Sequence, residues 1–423
     1  ANNGNFSTPP DGAGPGRMQM YVYTGPNPDR DGGLDAAIVL HELTHGLSHR
    51  LVGNATGLLW DVARSMGEGW SDFYALSLLN AAPSDDPDAA YPFGSYISYR
   101  LSNLGDNYVY GYRRFPYSTN PQINPLSFAD IDDVTLDESG GIPVSPLPLS
   151  ANGALEVHNA GSIWALALWE IRSRIIAGAG GNVPQGNETM LQLVTDALKL
   201  TPSNPSFLDG REALLVADCM TQGCAHEQAI WGGFADRGLG YGAVAPLSVL
   251  GRFDIAHLGI GESFALPHLD LVDPALDVQI DDVATGNGDG RLDPGERARL
   301  RLTLHNPWRG RAASAIQAQL LAATGVSVLD GQASYPDIAA MSAAHSGADS
   351  FEITLAPDLG CGQRLDFTLN LNSSLGAVSL PWSLRVGTPG AAGAQRVYSA
   401  TPNLPIPDNN KRGVASHLQI DDD

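Results

Sequence analysis

Cationic side chains are scarce in this chain, with 24 Lys and Arg against 46 Asp and Glu over 423 residues and a formal net charge of −22. A surface so acidic repels phosphate backbones and anionic lipid, which excludes nucleic acid and acidic membrane faces as partners but specifies no substrate. No apolar run approaches the roughly 20 residues that a bilayer-spanning helix needs, so no membrane span is expected. Cysteine is rare too, at three residues, which rules out a disulfide-built scaffold. Cys219 and Cys224 stand close enough for a bridge in an oxidising compartment, two small buried thiols being the alternative, and Cys361 looks unpaired. The chain begins with neither Met nor a leader peptide, so it reads as a processed product or an incomplete chain.

What is present is a large apolar fraction, 43%, enough to bury a sizeable core in two or three domains. Within it lies His41-Glu42-Leu43-Thr44-His45, preceded by the helix-forming run Leu34 to Leu40. Residues four apart share a helix face, so His41 and His45 present two imidazoles to one ion while Glu42 points at the adjoining space. A catalytic zinc takes three protein ligands and keeps one open position. Glu68, opening the apolar helical segment from Gly67 to Leu79, is the candidate third ligand. Asp72, one turn further, is placed to accept the free N–H of a ligating imidazole, most plausibly His41. Glu42 then acts as general base toward a zinc-activated water that attacks a carbonyl.

These segments carry a family resemblance. Arg30 to Asp35, His41 to Arg50 and Met66 to Phe73 resemble the fungalysin family of secreted zinc metalloendopeptidases, relatives of thermolysin. The likeness extends through Tyr112 to Thr119, Glu156 to His158 and Phe234 to Gly240, covering about residues 1–245. It implies His41, His45 and Glu68 as zinc ligands, Glu42 as base, and a propeptide in the precursor. It also implies that His158 donates a hydrogen bond to the tetrahedral oxyanion. Gly153 falls where the acid that steadies such a histidine would be, and Glu156 is a possible substitute. Tyr117 is a weaker candidate for a phenolic donor, since a Tyr in an aromatic loop is more often packing. Residues 1–6 resemble the edge strand with which thermolysin-like enzymes hold peptide, making Asn3 and Gly4 candidate substrate-binding residues, with a plain turn as the alternative. Family members are expected to carry a β-rich lobe before this strand, so the N-terminal β lobe reads as missing.

The fold class expected is α+β: a mainly helical thermolysin-like catalytic lobe followed by an antiparallel, immunoglobulin-like β-sandwich. Helical periodicity recurs at 163–176, 189–198 and 211–218, with Trp164, Trp169 and Trp231 as core. Residues 81–155 read as long surface loops. From about 270 the period becomes two, as in Leu300, Leu302 and Leu304, in Leu365, Phe367, Leu369 and Leu371, and in Val378, Leu380 and Trp382. Three regions are therefore drawn: 1–265 catalytic, 270–390 sandwich, and 391–423 linker and possible start of a P domain. Asn287, Asp289, Asp293 and Glu296 partly fit a calcium loop, although Thr285 stands where an acid is wanted. The functional expectation is a secreted, extracellular zinc endopeptidase acting on proteins or peptides. A zinc aminopeptidase, or a catalytically inactive extracellular binding protein acting through the sandwich, are the alternatives.

Overall fold

The computed structural model describes residues 2–101, 107–131, 141–147, 153–245, 259–283, 286–322 and 324–387; the expected linker and P-domain start at 391–423 lie outside them, as does Thr285. The protein is α+β. It divides into two units, one taking the chain through His268 together with Pro307–Ala312, the other Leu269–Asn306 together with the chain from Ala313.

In the first unit two short antiparallel pairs, β1 (Gly4–Ser7) with β2 (Arg17–Met20) and β3 (Val22–Tyr23) with β4 (Arg30–Asp31), lead into helix α1 (Ala36–Leu51). Asp35 starts α1 by accepting the Ala37 N–H at 3.0 Å, a cap that contributes about 1 kcal/mol. Its other oxygen accepts the Tyr96 and Ile97 N–H groups, tying the helix start to α3 (Ser95–Ser98). Gly46 leaves α1 unbroken. A Cβ there would lie 2.6 Å from the Phe6 ring, so the glycine lets β1 press on the helix.

Helix α2 spans Asp61–Leu79, so Glu68 sits in its middle and does not open it. Gly67 and Gly69, which suggested a break, are both helical, and at Gly69 another backbone needs the room: a Cβ there would meet the Gly161 carbonyl at 2.5 Å. That carbonyl belongs to α4 (Val157–Gly178), which carries Trp164 and Trp169, each 1% exposed. Helices α5 (Val183–Leu200), α6 (Phe207–Gln222) and α7 (Glu227–Asp236) complete the helical layer. A Cys219–Cys224 disulfide closes the end of α6, while Cys361 is free and exposed.

Part of the segment expected as surface loops is interior, although residues 81–90 hold no buried position. Phe93, Ile97, Phe115, Tyr117, Asn124 and Phe128 are all buried. Buried irregular backbone must find partners. Tyr91 and Tyr117 exchange backbone hydrogen bonds, and the Arg237 guanidinium donates to the carbonyls of Ser118, Asn124 and Leu126 while pairing with Glu170 at 2.7 Å.

The second unit is built from antiparallel strands: β5 (Asp270–Leu271), β6 (Gln279–Asp281), β7 (Arg297–Arg301), β8 (Thr303–Asn306), β9 (Gln317–Ala322), β10 (Val326–Asp330), β11 (Gln332–Ser334), β12 (Ser342–His345), β13 (Phe351–Leu355), β14 (Arg364–Ser373) and β15 (Gly376–Arg385). They form sheets ordered β10-β13-β7-β6, β11-β9-β14-β15 and β12-β8-β5. Every second residue turns into one apolar core, including Leu300, Leu304, Phe351, Leu369 and Trp382. Register pairs Phe367 with Trp382, whose rings stack with centroids 4.5 Å apart.

Candidate metal centre and its surroundings

The His41 and His45 rings leave α1 one turn apart, with their Nε2 atoms 3.1 Å from each other. Glu68 Oε2, from α2, lies 3.1 Å from His41 Nε2 and 3.4 Å from His45 Nε2. Among the described residues this is the trio of acidic, Cys or His side chains whose donor atoms converge as metal ligands do. Zinc bonded to nitrogen and oxygen at about 2.0–2.1 Å sets neighbouring donors about 3.3 Å apart along a tetrahedral edge. The three separations fit one face of such a tetrahedron. Two imidazoles and a carboxylate also suit zinc in kind.

The electrostatics agree. Burial disfavours a charged His41, yet the Asp72 and Glu68 carboxylates outweigh it and push its pKa up to about 9. Burial would likewise raise Glu68, but the His158 and His45 imidazoles hold it well below the usual carboxylate range. Without metal the raised His41 and the lowered Glu68 thus form an ion pair, whose proton a divalent cation would displace. Glu42, 7% exposed, is raised chiefly by burial, which readies it to take a proton. Gly4 of β1 packs directly on it: a Cβ at Gly4 would lie 2.5 Å from Glu42 Oε1. Asn3 is exposed beside it.

Asp72 is 1% exposed, with Oδ1 2.7 Å from His41 Nδ1. Two further groups reach it that sequence reasoning did not assign. Arg113 donates from Nε to Oδ2 at 2.6 Å and from Nη2 to Oδ1 at 2.7 Å, and the Tyr117 hydroxyl donates to Oδ2 at 2.6 Å. Tyr117 is therefore bonded to Asp72 in the interior, where the sequence had weighed oxyanion donation against packing. A buried carboxylate with one imidazole still needs a cation, and that was the available signal for an arginine.

His158 lies in the first turn of α4, which Glu156 caps. Its Nδ1 is 2.7 Å from Glu156 Oε1 and its Nε2 3.3 Å from Glu68 Oε2, so the imidazole stands at the rim of the trio. Burial opposes charge on His158, but the two glutamates raise its pKa. In the second unit, Glu296 accepts the N–H groups of Asn287 and Asp293, Asp289 accepts that of Arg291, and buried Asp282 accepts those of Gly288, Asp289 and Gly290. Asn287 donates to Asp293 at 2.8 Å.

A helical lobe bearing this trio defines a class, the metallopeptidases with paired helical histidines and a later glutamate. The family model described as fungalysin metallopeptidase (M36) matches residues 1–243, and the chain belongs to that family. It is 40% identical over 256 residues to a probable extracellular metalloproteinase 3 of Trichophyton verrucosum (strain HKI 0517), covering 57% of this chain and 36% of the relative. It is 39% identical over 256 residues to the extracellular metalloproteinases 3 of Trichophyton soudanense and Trichophyton violaceum, covering 57% of this chain and 58% of each. The chain thus spans between about a third and three fifths of the length of these relatives. Among solved structures, the yeast GGA1 GAE domain aligns over 29% of this chain and all of its own length at 11% identity, with a TM-score of 0.19.

Proposed function

We propose that the protein is a secreted zinc endopeptidase. The observation that carries this is the mutual spacing of the His41, His45 and Glu68 donor atoms, 3.1–3.4 Å, on two helices packed side by side. His41, His45 and Glu68 would hold the metal. Bound there, zinc would supply Lewis acidity, polarising the scissile carbonyl and making water more acidic. Glu42 takes the proton of the attacking water and later passes it to the leaving amine. His158, held by Glu156 through Nδ1, donates from Nε2 to the oxyanion as it forms. Asp72 keeps the His41 proton on Nδ1 so that Nε2 is a ligand. The substrate backbone would lie along β1, with Asn3 and Gly4 as its contacts.

Extracellular relatives and the absence, among the described residues, of a helix long and apolar enough to cross a membrane support secretion. We read 1–265 as the thermolysin-like catalytic region made from a precursor with a propeptide, 270–390 as an immunoglobulin-like sandwich, and 391–423 as linker and P-domain start. Calcium at Asn287, Asp289, Asp293 and Glu296 is part of the same proposal. Titration calorimetry tests it, since absence of heat on adding calcium retires that site.

The decisive experiment pairs metal analysis with hydrolysis of peptides blocked at the amino terminus. Glu42→Gln should keep one zinc per chain and lose about 10²–10⁴-fold in turnover. Cleavage only of free N-termini would replace the endopeptidase with an aminopeptidase. Turnover undiminished in Glu42→Gln would remove Glu42 as the base.

A further inference from the structure

We infer that Arg113 and Tyr117 are positioning residues for the metal centre, acting through Asp72. The inference rests on the zinc reading above and deepens it. Of the two imidazoles in the trio, His45 has its Nδ1 buried without a hydrogen-bond partner, so His41 is the one whose ring is oriented from behind. The polar hold on His41 Nδ1 is the Asp72 carboxylate. That carboxylate would be free to rotate about its last bond if His41 were its sole partner. Arg113 prevents this with a two-point grip, Nε on one oxygen and Nη2 on the other.

The grip is itself braced. The Arg113 guanidinium lies 4.5 Å from the Phe93 ring centroid, and Phe93 in turn packs against the His41 ring at 5.3 Å. Arg113, Phe93, His41 and Asp72 therefore close a ring of contacts in which no member moves alone. Tyr117 adds a third hold, its hydroxyl donating to Asp72 Oδ2 at 2.6 Å. Its own backbone is fixed by the paired bonds with Tyr91.

The test uses the full chain with Tyr117→Phe, which removes one oxygen from a filled site, together with Arg113→Lys and Asp72→Asn. Zinc dissociation constants are measured by chelator competition, cobalt(II) absorption reports ligand geometry, and circular dichroism verifies the fold. Tyr117→Phe and Arg113→Lys should each weaken zinc by about 10-fold and shift the cobalt bands, the lower end of what supporting residues contribute. Tyr117→Phe added to Asp72→Asn should weaken zinc no further, because the route through Asp72 is already cut. At saturating zinc, kcat of Tyr117→Phe and of Arg113→Lys should recover, as expected of residues that act on the metal ligand and do not touch substrate. Parental zinc affinity in folded Tyr117→Phe overturns the inference even should the other variants fail to fold, as do additive losses in the double variant. A parent chain that binds no zinc would instead end the peptidase proposal itself.

Discussion

Gly4→Ala should disable the enzyme without touching its metal. Ordinary contact begins near 3.4 Å, and a Cβ at Gly4 would lie 2.5 Å from Glu42 Oε1, so the oxygen must retreat by about 0.9 Å. The strand cannot yield instead, because β1 is held in register with β2 on one side and by Phe6 seated over Gly46 on the other. A displacement of about 1 Å in a reacting group is worth on the order of 100-fold in rate. We therefore expect kcat/KM to drop about 100-fold, close to 2.7 kcal/mol of transition-state stabilisation. Zinc content and the melting temperature should stay near parental values, since neither the trio nor the core is altered. Steady-state hydrolysis of a blocked peptide, with metal analysis of the same sample, measures both. Activity within threefold of the parent would show that Glu42 has slack or that its position is not rate-determining.

Other perturbations have equally definite outcomes. Glu68→Ala should abolish stoichiometric zinc, and dialysed protein that still holds one zinc per chain refutes its place as a ligand. The His41 pKa, raised from 6.5 to about 9 in the metal-free fold, stabilises that fold below about pH 6.5 and is lost as pH rises through 9. The same proton competes with zinc, so affinity should climb from pH 6.5 to 9 with proton release, and calorimetry showing flat affinity contradicts it. Arg237→Met strands Glu170 and three carbonyls, which should cost about 3–5 kcal/mol in chemical denaturation. An unchanged midpoint would mean that the 118–126 segment is held otherwise. Phe351→Ala, at a fully buried position of the second unit, should cost about 3–5 kcal/mol there, read from that unit's own unfolding transition.

Much of the trio was legible because its chemistry is local in sequence. His41, Glu42 and His45 declare themselves through helical spacing alone, and Glu68 with Asp72 through charge on an otherwise apolar run. The alternation at Leu365 to Leu371 likewise identified β14, since a strand with one buried face writes its period directly into the chain. What stayed hidden depends on distant segments meeting. The start of α2 at Asp61 was missed because Gly67 and Gly69 look like a boundary, and the reason Gly69 lacks a side chain shows only when Gly161 is laid against it. Arg113 sits in an aromatic stretch with nothing nearby to say that a buried carboxylate 41 residues away needs its charge. The return of Pro307–Ala312 to the first unit has no periodicity to announce it. There, Glu227 accepts the Arg309 and Gly310 N–H groups, and Trp308 donates to the Pro267 carbonyl.

The near-contact of α2 and α4 has a consequence for how such a site can vary. Gly69 and Gly161 admit no methyl group, each facing the other helix's backbone at 2.5 Å from where a Cβ would stand. The width of the gap between the Glu68 carboxylate and the imidazole of His158 is therefore written in hydrogen atoms rather than in any reactive group. Enlarging either residue would move an entire helix as a lever, carrying Glu68 away from His158 while leaving every functional side chain chemically intact. Such a variant would retain each part of the apparatus and still be out of adjustment, a kind of failure that inspecting the motif residues alone would never reveal.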